Sequence, residues 1–371
     1  MISRDSALTA ANVYVKPTHS RFKAENRSRQ GIPSLGRTDN GRLFVTFYSG
    51  MKTEESGNFV ILVQSDDDGQ TWKDAVVAIE HPDPEMRVFD PQVWLDPLGR
   101  IWLIWAQSRR MFDGRDGVWV IVSENPDADT PSWSVPRRIA NGIMMNKPTV
   151  LINGEWLFPA AVWTSKYHKP IENHPEVAHE VLSNVYVSCD YGNSFTWRGG
   201  ADVDNRAFDE HMVVEKLDNT LWMLVRAQYG IGQSFSKDAG RTWSKGEPGI
   251  KGPNSRFFIR RLSSGRLLLV YHDSDDNSRK NLSAKLSDDD GKTWSAPLVL
   301  DERINVSYPD GVQDENGKIY IVYDRERYVD REILMATFTE EDIIAGKCVS
   351  SDARLKILVS VATGPNSRPS E

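Results

Sequence analysis

Short apolar runs and polar turns alternate along most of the 371-residue chain. Six segments each predict a short strand, a polar turn and a strongly apolar strand, and they are IPSLGRTDNGRLFVTFYSG, DPQVWLDPLGRIWLIWAQ, KPTVLINGEWLFPAAVW, HMVVEKLDNTLWMLVRAQ, RFFIRRLSSGRLLLVYHD and DGVQDENGKIYIVYDRE. A third β-rich run follows each pair, usually with a tight turn and a fourth strand behind it. The pattern therefore predicts an all-β fold, a six-bladed β-propeller of four-stranded antiparallel blades, with repeats from roughly residue 30 to residue 340.

The turn before the fourth strand is written in nearly the same residues several times. SDDDGQTW begins at Ser65, SKDAGRTW at Ser236 and SDDDGKTW at Ser287, while SCDYGNSFTW from Ser188 and SENPDADTPSW from Ser123 are looser copies. In this motif, which we call the Asp box, the Asp accepts bonds from turn amides, the Gly takes a positive φ and the Trp packs between sheets. We therefore interpret the Asp boxes as structural turns.

The strand order of a blade decides which face of the propeller can hold a site. Turns after the first and third strands of an antiparallel blade share one face, so the Asp boxes lie opposite the starts of the innermost strands. Ligand sites in propellers gather at the mouth of the central channel. We expect residues 1–371 to form one catalytic propeller domain, with NVYVKP or RLKILVS supplying the outer strand that closes blade six.

Composition narrows the possible partners. The net charge is −7 with both signs interspersed, which does not favour nucleic acid as a partner, and no apolar run reaches the roughly 18 residues of a membrane helix. Cys189 and Cys348 do not imply a disulfide framework. The opening MISRDSALTA lacks the apolar core of a secretory signal, so a cytoplasmic protein and an exported one whose signal peptide was removed both stay open.

Polar and aromatic residues collect at the predicted channel mouth. The starts of the innermost strands bring Asp90, Gln92, Asn146, Lys147, Glu210, His211, Arg256, Tyr308 and Asp310 to this face. The ends of the second strands and the loops after them add Glu54, Glu55, Arg109, Trp163, Arg226, Arg279 and Arg325. Arginines can grip a carboxylate, carboxylates can move protons and aromatic faces can hold a pyranose. The set is therefore suited to an acidic sugar.

Two stretches resemble the sialidase (neuraminidase) superfamily, whose members are six-bladed propellers with BNR/Asp-box repeats. EHMVVEKLDNTLWMLVR places Glu210 and Arg226, and SRKNLSAKLSDDDGKTW followed by VSYPDG places Arg279 and Tyr308, in the family's order. The resemblance implies that Tyr308 is the nucleophile, that Glu210 activates it and that Arg226 and Arg279 hold a substrate carboxylate. It further implies a retaining exo-glycosidase acting on a glycan with a terminal acidic sugar, such as sialic acid or a related nonulosonic acid.

The chain departs from the family pattern at two places. Family members open blade one with Arg-Ile-Pro, but RQGIPSL has Gly31 there and Arg29 two residues early. Either a third positive group such as Arg29, Lys147 or Arg256 completes the carboxylate clamp, or the substrate is not a sialic acid. The expected acid aspartate is also missing, and GMKTEESGN offers Glu54 or Glu55 as the proton donor. The remaining candidates are predicted substrate contacts, namely Asp90, Gln92, Lys147, His211, Arg256 and Asp310.

Two other functions stay open. One is a glycan lyase, or a glycosidase for a uronic or neutral sugar, that uses His211 or His272 with Tyr308. The other is a non-catalytic carbohydrate-binding propeller. The loop TSKYHKPIENHPEVAHEVLS carries His168, His174 and His179 at a spacing that matches no zinc pattern, so we expect it to form a rim or lid, and we expect neither a metal nor a cofactor.

Overall fold

The computed structural model describes residues 8–112, 115–163 and 174–365. Its antiparallel sheets form the ring of a six-bladed β-propeller, which confirms the predicted fold. Blades one to three contain β1 (Asn12–Val15), β2 (Arg29–Arg37), β3 (Leu43–Gly50), β4 (Phe59–Ser65) and β5 (Lys73–Glu80); β6 (Met86–Leu95), β7 (Ile101–Arg109), β8 (Gly117–Ser123) and β9 (Arg137–Asn141); and β10 (Thr149–Val150), β11 (Trp156–Ala161), β12 (Ser183–Ser188) and β13 (Thr196–Ala201).

Blades four to six follow in chain order. They contain β14 (Met212–Glu215), β15 (Leu221–Ala227), β16 (Gly230–Ser236) and β17 (Glu247–Lys251); β18 (Phe258–Arg261), β19 (Leu267–His272), β20 (Leu282–Ser287) and β21 (Leu298–Asp301); and β22 (Val306–Gln313), β23 (Ile319–Arg325), β24 (Glu332–Phe338) and β25 (Arg354–Val361). Short 3₁₀-helices occupy Ser20–Phe22, Ala24–Asn26 and Pro175–Glu180, and helix α1 (Glu340–Ala345) connects β24 to β25. No helix in the described ranges is long and apolar enough to cross a membrane.

The two candidate closing segments belong to different blades. RLKILVS forms most of β25, which is the outer strand of blade six as expected. NVYVKP instead supplies β1, which pairs antiparallel with β5, with Asn12 opposite Glu80, and adds a fifth strand to blade one. Every blade is therefore made from one continuous stretch of chain.

The second strands are apolar because neighbouring blades cover both of their faces. In β7, every residue from Ile101 to Ser108 is buried, and Trp102 and Trp105 are fully enclosed. Apolar runs without alternation are expected where a strand is covered on both sides. The core is therefore distributed between the blades around the ring, and the inner strands keep their polar residues at the channel.

The Asp boxes form closed hydrogen-bond circuits. The Ser65 hydroxyl donates to Asp67 Oδ1 at 2.8 Å and accepts from the Gly69 amide at 2.9 Å, while the amide and hydroxyl of Thr71 donate to Asp67 at 2.9 and 2.6 Å. The boxes from Ser236 and Ser287 repeat this geometry. Gly69 takes a φ of 76°, where a side chain would be strained. The turn needs no ligand to satisfy its polar groups.

The looser box from Ser188 ends earlier than the sequence suggested. The amide and hydroxyl of Ser194 donate to Asp190 at 2.9 and 2.6 Å, which is the role of Thr in the other boxes. Phe195 then packs edge-on against Phe158 at 4.9 Å, whereas Trp197 lies in β13 and is 39% exposed. Phe195 therefore replaces the expected Trp.

Contacts between blades show which face the boxes occupy. Asp68 of the first box accepts from Lys318 Nζ at 2.6 Å, and Asp127 accepts from Thr38 Oγ1 at 2.6 Å and from Asn40 Nδ2 at 2.8 Å. Lys318, Thr38 and Asn40 belong to turns between the first and second strands of their blades. The boxes thus share a face with those turns, as strand parity predicts.

Three inner strands carry the same backbone irregularity at the opposite face. The pairing register shifts between Gly31 and Ser34, between Phe89 and Gln92, and between Ser307 and Asp310, so each strand has a β-bulge. The first bulged residue has a positive φ and precedes a proline, and these residues are Ile32 (57°), Asp90 (47°) and Tyr308 (57°). We call them the bulge positions, and all three line the pocket described next.

Candidate active site

A cavity of about 200 Å³ opens at the channel mouth on the face opposite the Asp boxes. It is lined by Ile32, Glu54, Arg87, Phe89, Asp90, Met111, Met145, Trp163, Phe208, Glu210, Arg226, Arg279, Tyr308 and Arg327. Four arginines and three carboxylic acids share this small wall with four aromatic side chains. The predicted face therefore holds a pocket, and its charges come from five of the six blades.

Tyr308, Glu210 and Arg226 contact one another on the pocket wall. The Tyr308 hydroxyl donates to Glu210 Oε1 at 2.9 Å. Arg226 Nη1 donates to the same carboxylate oxygen at 2.6 Å and lies 3.2 Å from the Tyr308 oxygen. Glu210 Oε2 is buried and has no hydrogen-bond partner in the described residues. The structure thus brings together the three residues that the sequence placed 98 and 16 positions apart.

The backbone before β14 aims Glu210 at the tyrosine. Phe208 and Asp209 both have a positive φ, 59° and 40°. Asp209 Oδ1 accepts from the Ser183 hydroxyl at 2.8 Å and lies 2.8 Å from Arg206 Nε. These contacts offset the strain of the left-handed residues and fix the turn from which Glu210 projects.

The Tyr308 ring lies among positive charges. The guanidinium carbon of Arg327 lies 4.3 Å from the ring centroid, and that of Arg279 lies 5.5 Å away. Burial raises the pKa of Tyr308 and the Glu210 carboxylate adds to this shift, while Arg226, Arg327 and Arg279 oppose it. The phenol is therefore protonated at rest, and its proton faces the Glu210 carboxylate.

Asn254 links the other two family arginines. Its side-chain oxygen accepts from Arg226 Nε at 2.6 Å, and its backbone oxygen accepts from Arg279 Nη2 at 3.3 Å. The guanidinium of Arg226 also stacks on Phe208, with 5.3 Å between its carbon and the ring centroid. The two cations are thus held side by side at one end of the pocket.

Arg327 occupies the space that the missing first arginine would need. A Cβ at Gly31 would lie 2.6 Å from Arg327 Cδ and 2.7 Å from Arg327 Cγ. Arg327 Nε is 3.0 Å from Asp324 Oδ2, Nη1 is 3.3 Å from Glu54 Oε1 and Nη2 donates to Ser307 Oγ at 3.1 Å. Gly31 is therefore the residue that allows a guanidinium from blade six to reach this place.

Glu54 and Glu55 have different positions. Glu54 lines the pocket, and its Oε1 accepts from Arg29 Nη2 at 3.2 Å. Glu55 instead caps its own loop, since its Oε1 accepts from the Thr53 amide at 3.2 Å. Arg29 is fully buried behind the wall and stacks on Tyr48 at 4.4 Å. Of these predicted residues, only Glu54 lines the pocket.

Asp90 and Arg87 form the blade-two side of the pocket. Both are buried on β6, and the Arg87 guanidinium stacks on Phe89 at 4.0 Å from the ring centroid and donates to the Met111 carbonyl at 3.3 Å. Asp90 Oδ1 has no hydrogen-bond partner among the described residues. Burial raises the pKa of Asp90 to about 7. The carboxylates of Glu54 and Glu210 raise this pKa further, whereas Arg87 and Arg327 lower it.

Four predicted substrate contacts do not line the pocket but pair with one another inside the channel. Lys147 Nζ lies 2.5 Å from Asp310 Oδ2, and Arg256 lies 3.6 Å from Asp310 Oδ1. Arg256 Nη2 lies 3.5 Å from Gln92 Oε1, and Asp310 Oδ2 also accepts from the Ser34 hydroxyl. Burial lowers the pKa of Lys147 to about 8. This channel cluster of Lys147, Asp310, Arg256 and Gln92 links inner strands across the ring.

The histidines of the alternative mechanism also lie off the pocket wall. His211 Nδ1 and Nε2 are 2.7 and 2.6 Å from the backbone oxygens of Asp209 and Asn184. His272 Nε2 is 2.7 Å from the Val306 oxygen, and burial lowers its pKa to about 4. Of the loop histidines, His168 lies outside the described residues, while His174 and His179 face Glu176 and Glu180. No acidic, His or Cys cluster of the described chain could hold a metal.

The family described as BNR repeat-like domain matches residues 41–321. The chain belongs to this family. The match confirms the BNR/Asp-box propeller superfamily that the sequence motifs indicated. No curated protein sequence matches significantly.

Solved structures share the fold at low sequence identity. The chain is similar to "Hadza microbial sialidase Hz136" with a TM-score of 0.66 and 20% identity over 85% of the chain, and it spans 66% of that protein. It is similar to the intramolecular trans-sialidase from Ruminococcus gnavus, in complex with oseltamivir carboxylate, with a TM-score of 0.61 and 14% identity over 90% of the chain and 98% of the other. It is also similar to a protein of unknown function from Dyadobacter fermentans, with a TM-score of 0.61 and 17% identity over 86% of the chain and 95% of the other. These likenesses support the propeller fold.

Sequence reasoning missed two arginines of this BNR propeller. Arg327 lies two residues beyond Arg325, in a loop on the pocket face, and a search of the whole loop would have found it. Arg87 was missed because β6 begins at Met86, four residues before the expected start at Asp90. The bulge hides this early start, since it breaks the regular alternation of the strand.

Proposed function

We propose that the protein is a retaining exo-glycosidase that removes a terminal acidic sugar, of the sialic or nonulosonic acid class, from a glycan. The observation that carries the proposal is the distance of 2.9 Å from the Tyr308 hydroxyl to Glu210 Oε1, with Arg226 on the same oxygen. A free phenol has a pKa near 10 and is a poor nucleophile at neutral pH. A carboxylate within hydrogen-bond reach is what nucleophilic catalysis by tyrosine requires.

The chemistry follows from these contacts. Tyr308 attacks the anomeric carbon while Glu210 takes the phenol proton, and the glycosidic bond breaks as a second carboxylic acid of the pocket wall gives its proton to the leaving oxygen. Water then attacks the same carbon and loses a proton to that second carboxylate, while the bond to Tyr308 breaks and Glu210 returns its proton to the phenol. A neutral phenol approaches an anomeric carbon that carries a carboxylate without the repulsion that an anionic nucleophile would meet.

The arginines of the wall support an acidic substrate. Arg226 and Arg279 both bind Asn254, and Arg327 occupies the space that a side chain at position 31 would need. Arg327 rather than Arg29, Lys147 or Arg256 then completes the carboxylate clamp, because it lines the pocket and the other three do not. Guanidinium groups are suited to this task because they bind carboxylates bidentately.

The aromatic side of the wall suits the sugar ring. Trp163 packs edge-on against Phe208 with 5.2 Å between the ring centroids, and the Phe89 centroid lies 6.5 Å from that of Trp163. These rings give an apolar surface beside the cations, which a pyranose can cover while its carboxylate reaches the arginines. No specific observation favours the histidine-based or non-catalytic alternatives, since neither His211 nor His272 lines the pocket and a binding module needs no Tyr308–Glu210 pair.

The direct test is a panel of 4-methylumbelliferyl glycosides of sialic, deoxynonulosonic, glucuronic and neutral sugars, each followed by fluorescence. We expect turnover of a nonulosonic acid ketoside, with the product released in the configuration of the substrate when NMR follows the reaction. A 3-fluoro ketosyl fluoride should label Tyr308, as found by mass spectrometry of the peptides, because fluorine slows the breakdown of the covalent intermediate.

Three results would contradict the proposal. Turnover of neutral or uronic glycosides alone would refute the substrate class. An inverted product would refute the tyrosine nucleophile, because two displacements retain configuration and one inverts it. An absorbance rise from an unsaturated product would identify a lyase instead.

A further inference from the structure

Two carboxylic acids besides Glu210 line the pocket, and they have different partners. Glu54 Oε1 lies 3.2 Å from Arg29 Nη2 and 3.3 Å from Arg327 Nη1. Burial alone would raise the pKa of Glu54, but Arg29, Arg327 and Arg87 outweigh it and lower the pKa to about 2. Glu54 is therefore an anion near neutral pH, where it has no proton to give to a leaving group.

Asp90 is the opposite case. It is 3% exposed, and within the described residues it forms no salt bridge and its Oδ1 accepts no hydrogen bond. A buried carboxyl group without a cationic partner holds its proton, because water no longer stabilises the charged form. The other ionisable groups around it are Arg87 of its own strand, Glu54 and Tyr48 of blade one, Glu210 of blade four and Arg327 of blade six. The two carboxylates oppose its ionisation, and the pKa near 7 reflects the balance.

We propose that Asp90 is the proton donor that protonates the departing oxygen, in place of Glu54 or Glu55. This inference rests on the hydrolytic function proposed above. In the first step the Asp90 carboxyl proton moves to the glycosidic oxygen as the bond to the anomeric carbon breaks and the bond to Tyr308 forms. In the second step water attacks that carbon and gives a proton to the Asp90 carboxylate, while the bond to Tyr308 breaks and the phenol regains its proton from Glu210.

The backbone presents Asp90 as it presents the nucleophile. Both residues are bulge positions on inner strands, with φ of 47° and 57°, and each is followed by a proline. Blade one lies between their blades. Glu54 instead lies in the loop between β3 and β4. An acid and a nucleophile on rigid inner strands keep a fixed separation, which two-step displacement requires.

Leaving-group dependence separates the two candidates. The experiment compares Asp90→Asn with Glu54→Gln, each of which replaces a carboxyl group by an amide of the same size. The substrates are a 4-nitrophenyl ketoside, whose phenolate departs without a proton, and a ketoside linked to lactose, whose alkoxide does not. For Asp90→Asn we expect a loss of roughly 100-fold or more on the lactose ketoside but less than tenfold in bond cleavage on the nitrophenyl ketoside.

Two further measurements, the pH profile of kcat/KM and rescue by azide, would not change if Asp90 had only a structural role. In the parent protein, kcat/KM on the lactose ketoside should fall as the pH rises through about 7, because Asp90 loses its proton there; this basic limb should vanish in Asp90→Asn. Azide, which attacks without needing a base, should restore turnover of the nitrophenyl ketoside by Asp90→Asn. Glu54→Gln should slow both substrates alike, keep the basic limb and gain nothing from azide.

The outcomes distinguish the two proposals. If the parent protein hydrolyses the ketosides but Asp90→Asn slows both equally and keeps the basic limb, the inference is wrong and the proposed function stands. A leaving-group-dependent loss in Glu54→Gln would restore Glu54 as the acid. If the parent protein hydrolyses neither ketoside, the proposed function fails and the inference with it. Asp90→Gly, for which a φ of 47° is equally accessible, replaces Asp90→Asn if the amide variant does not fold.

Discussion

The two faces of the propeller differ in how their carboxylates are hydrogen-bonded. On the Asp-box face, the Asp67 carboxylate receives hydrogen bonds from Ser65, Gln70 and Thr71, all within four residues along the chain. At the channel mouth, Glu210 contacts Tyr308 and Arg226, which lie 98 and 16 residues away, and one of its oxygens stays unpartnered. The turn Asp of each regular box is satisfied locally, whereas the channel mouth leaves charges incompletely satisfied.

This difference separates stability from chemistry. A closed local circuit holds two strands together but has no capacity left for a substrate. Buried groups with spare hydrogen-bonding capacity and shifted pKa values are costly to the fold, and such groups concentrate at functional sites. Substitutions on the two faces should therefore affect different measurements.

The largest expected effect is at the nucleophile. Tyr308→Phe and Glu210→Gln should each lower kcat on a nonulosonic acid ketoside by about 10³-fold or more, since the two residues act as one unit. Tyr323→Phe is the matched control, because its hydroxyl donates to Asp301 Oδ2 at 3.0 Å, away from the pocket lining. It should lower the thermal midpoint and leave turnover by the folded protein unchanged. Equal activities for Tyr308→Phe and Tyr323→Phe would refute the assignment.

The next effect concerns the clamp. Arg327→Ala should lower kcat/KM on the ketoside roughly 10- to 100-fold, the loss expected for a hydrogen bond to a charged group. The double variant Gly31→Arg with Arg327→Gly should recover part of this loss, because the new guanidinium would enter the vacated space. Arg325→Ala is the control, since Arg325 pairs with Glu332 at 2.9 Å and does not line the pocket. No loss in Arg327→Ala would exclude it from the clamp.

The smallest effect on activity is expected on the Asp-box face, where a substitution should lower stability instead. Trp243 is half-buried against the core between blades three and four, and its Nε1 donates to the Gly240 oxygen at 3.1 Å. Trp243→Ala should lower the free energy of unfolding by about 2 kcal/mol in chemical denaturation, without changing kcat. Trp197→Ala, at the more exposed tryptophan, should cost less. Lost activity with unchanged stability in Trp243→Ala would show that this face takes part in function.

The sequence predicted most of what is local. The six hairpins and the Asp boxes depend on residues within about 20 positions of each other, so pattern and turn chemistry determine them. Tyr308, Glu210 and Arg226 were predicted because they stand at repeat-defined strand ends. The contacts that were not predicted cross the ring. Arg327 fills the space beside Gly31 from the last blade, and Lys147 is paired with Asp310 across the channel. No repeat encodes such contacts.

The choice of acid could not be derived from the sequence for a related reason. Glu54 looked suitable because it lies in the loop where an acid is expected, but Arg29 and Arg327 fix its charge. Whether a carboxyl group keeps its proton depends on its burial and on its neighbours in space. Neither property can be derived from its position in one blade.

The bulge positions have a consequence for how such a pocket can change over evolution. Blades one, two and six hold Ile32, Asp90 and Tyr308 at the same kind of kink, with φ between 47° and 57°. The kink thus accepts an aliphatic, an acidic and an aromatic side chain, although a β-branched residue such as Ile32 is strained there. Selection can therefore exchange the residue at one blade without rebuilding its strand. A substitution at one bulge position is therefore expected to change the pocket lining while the kinked strand stays as it is.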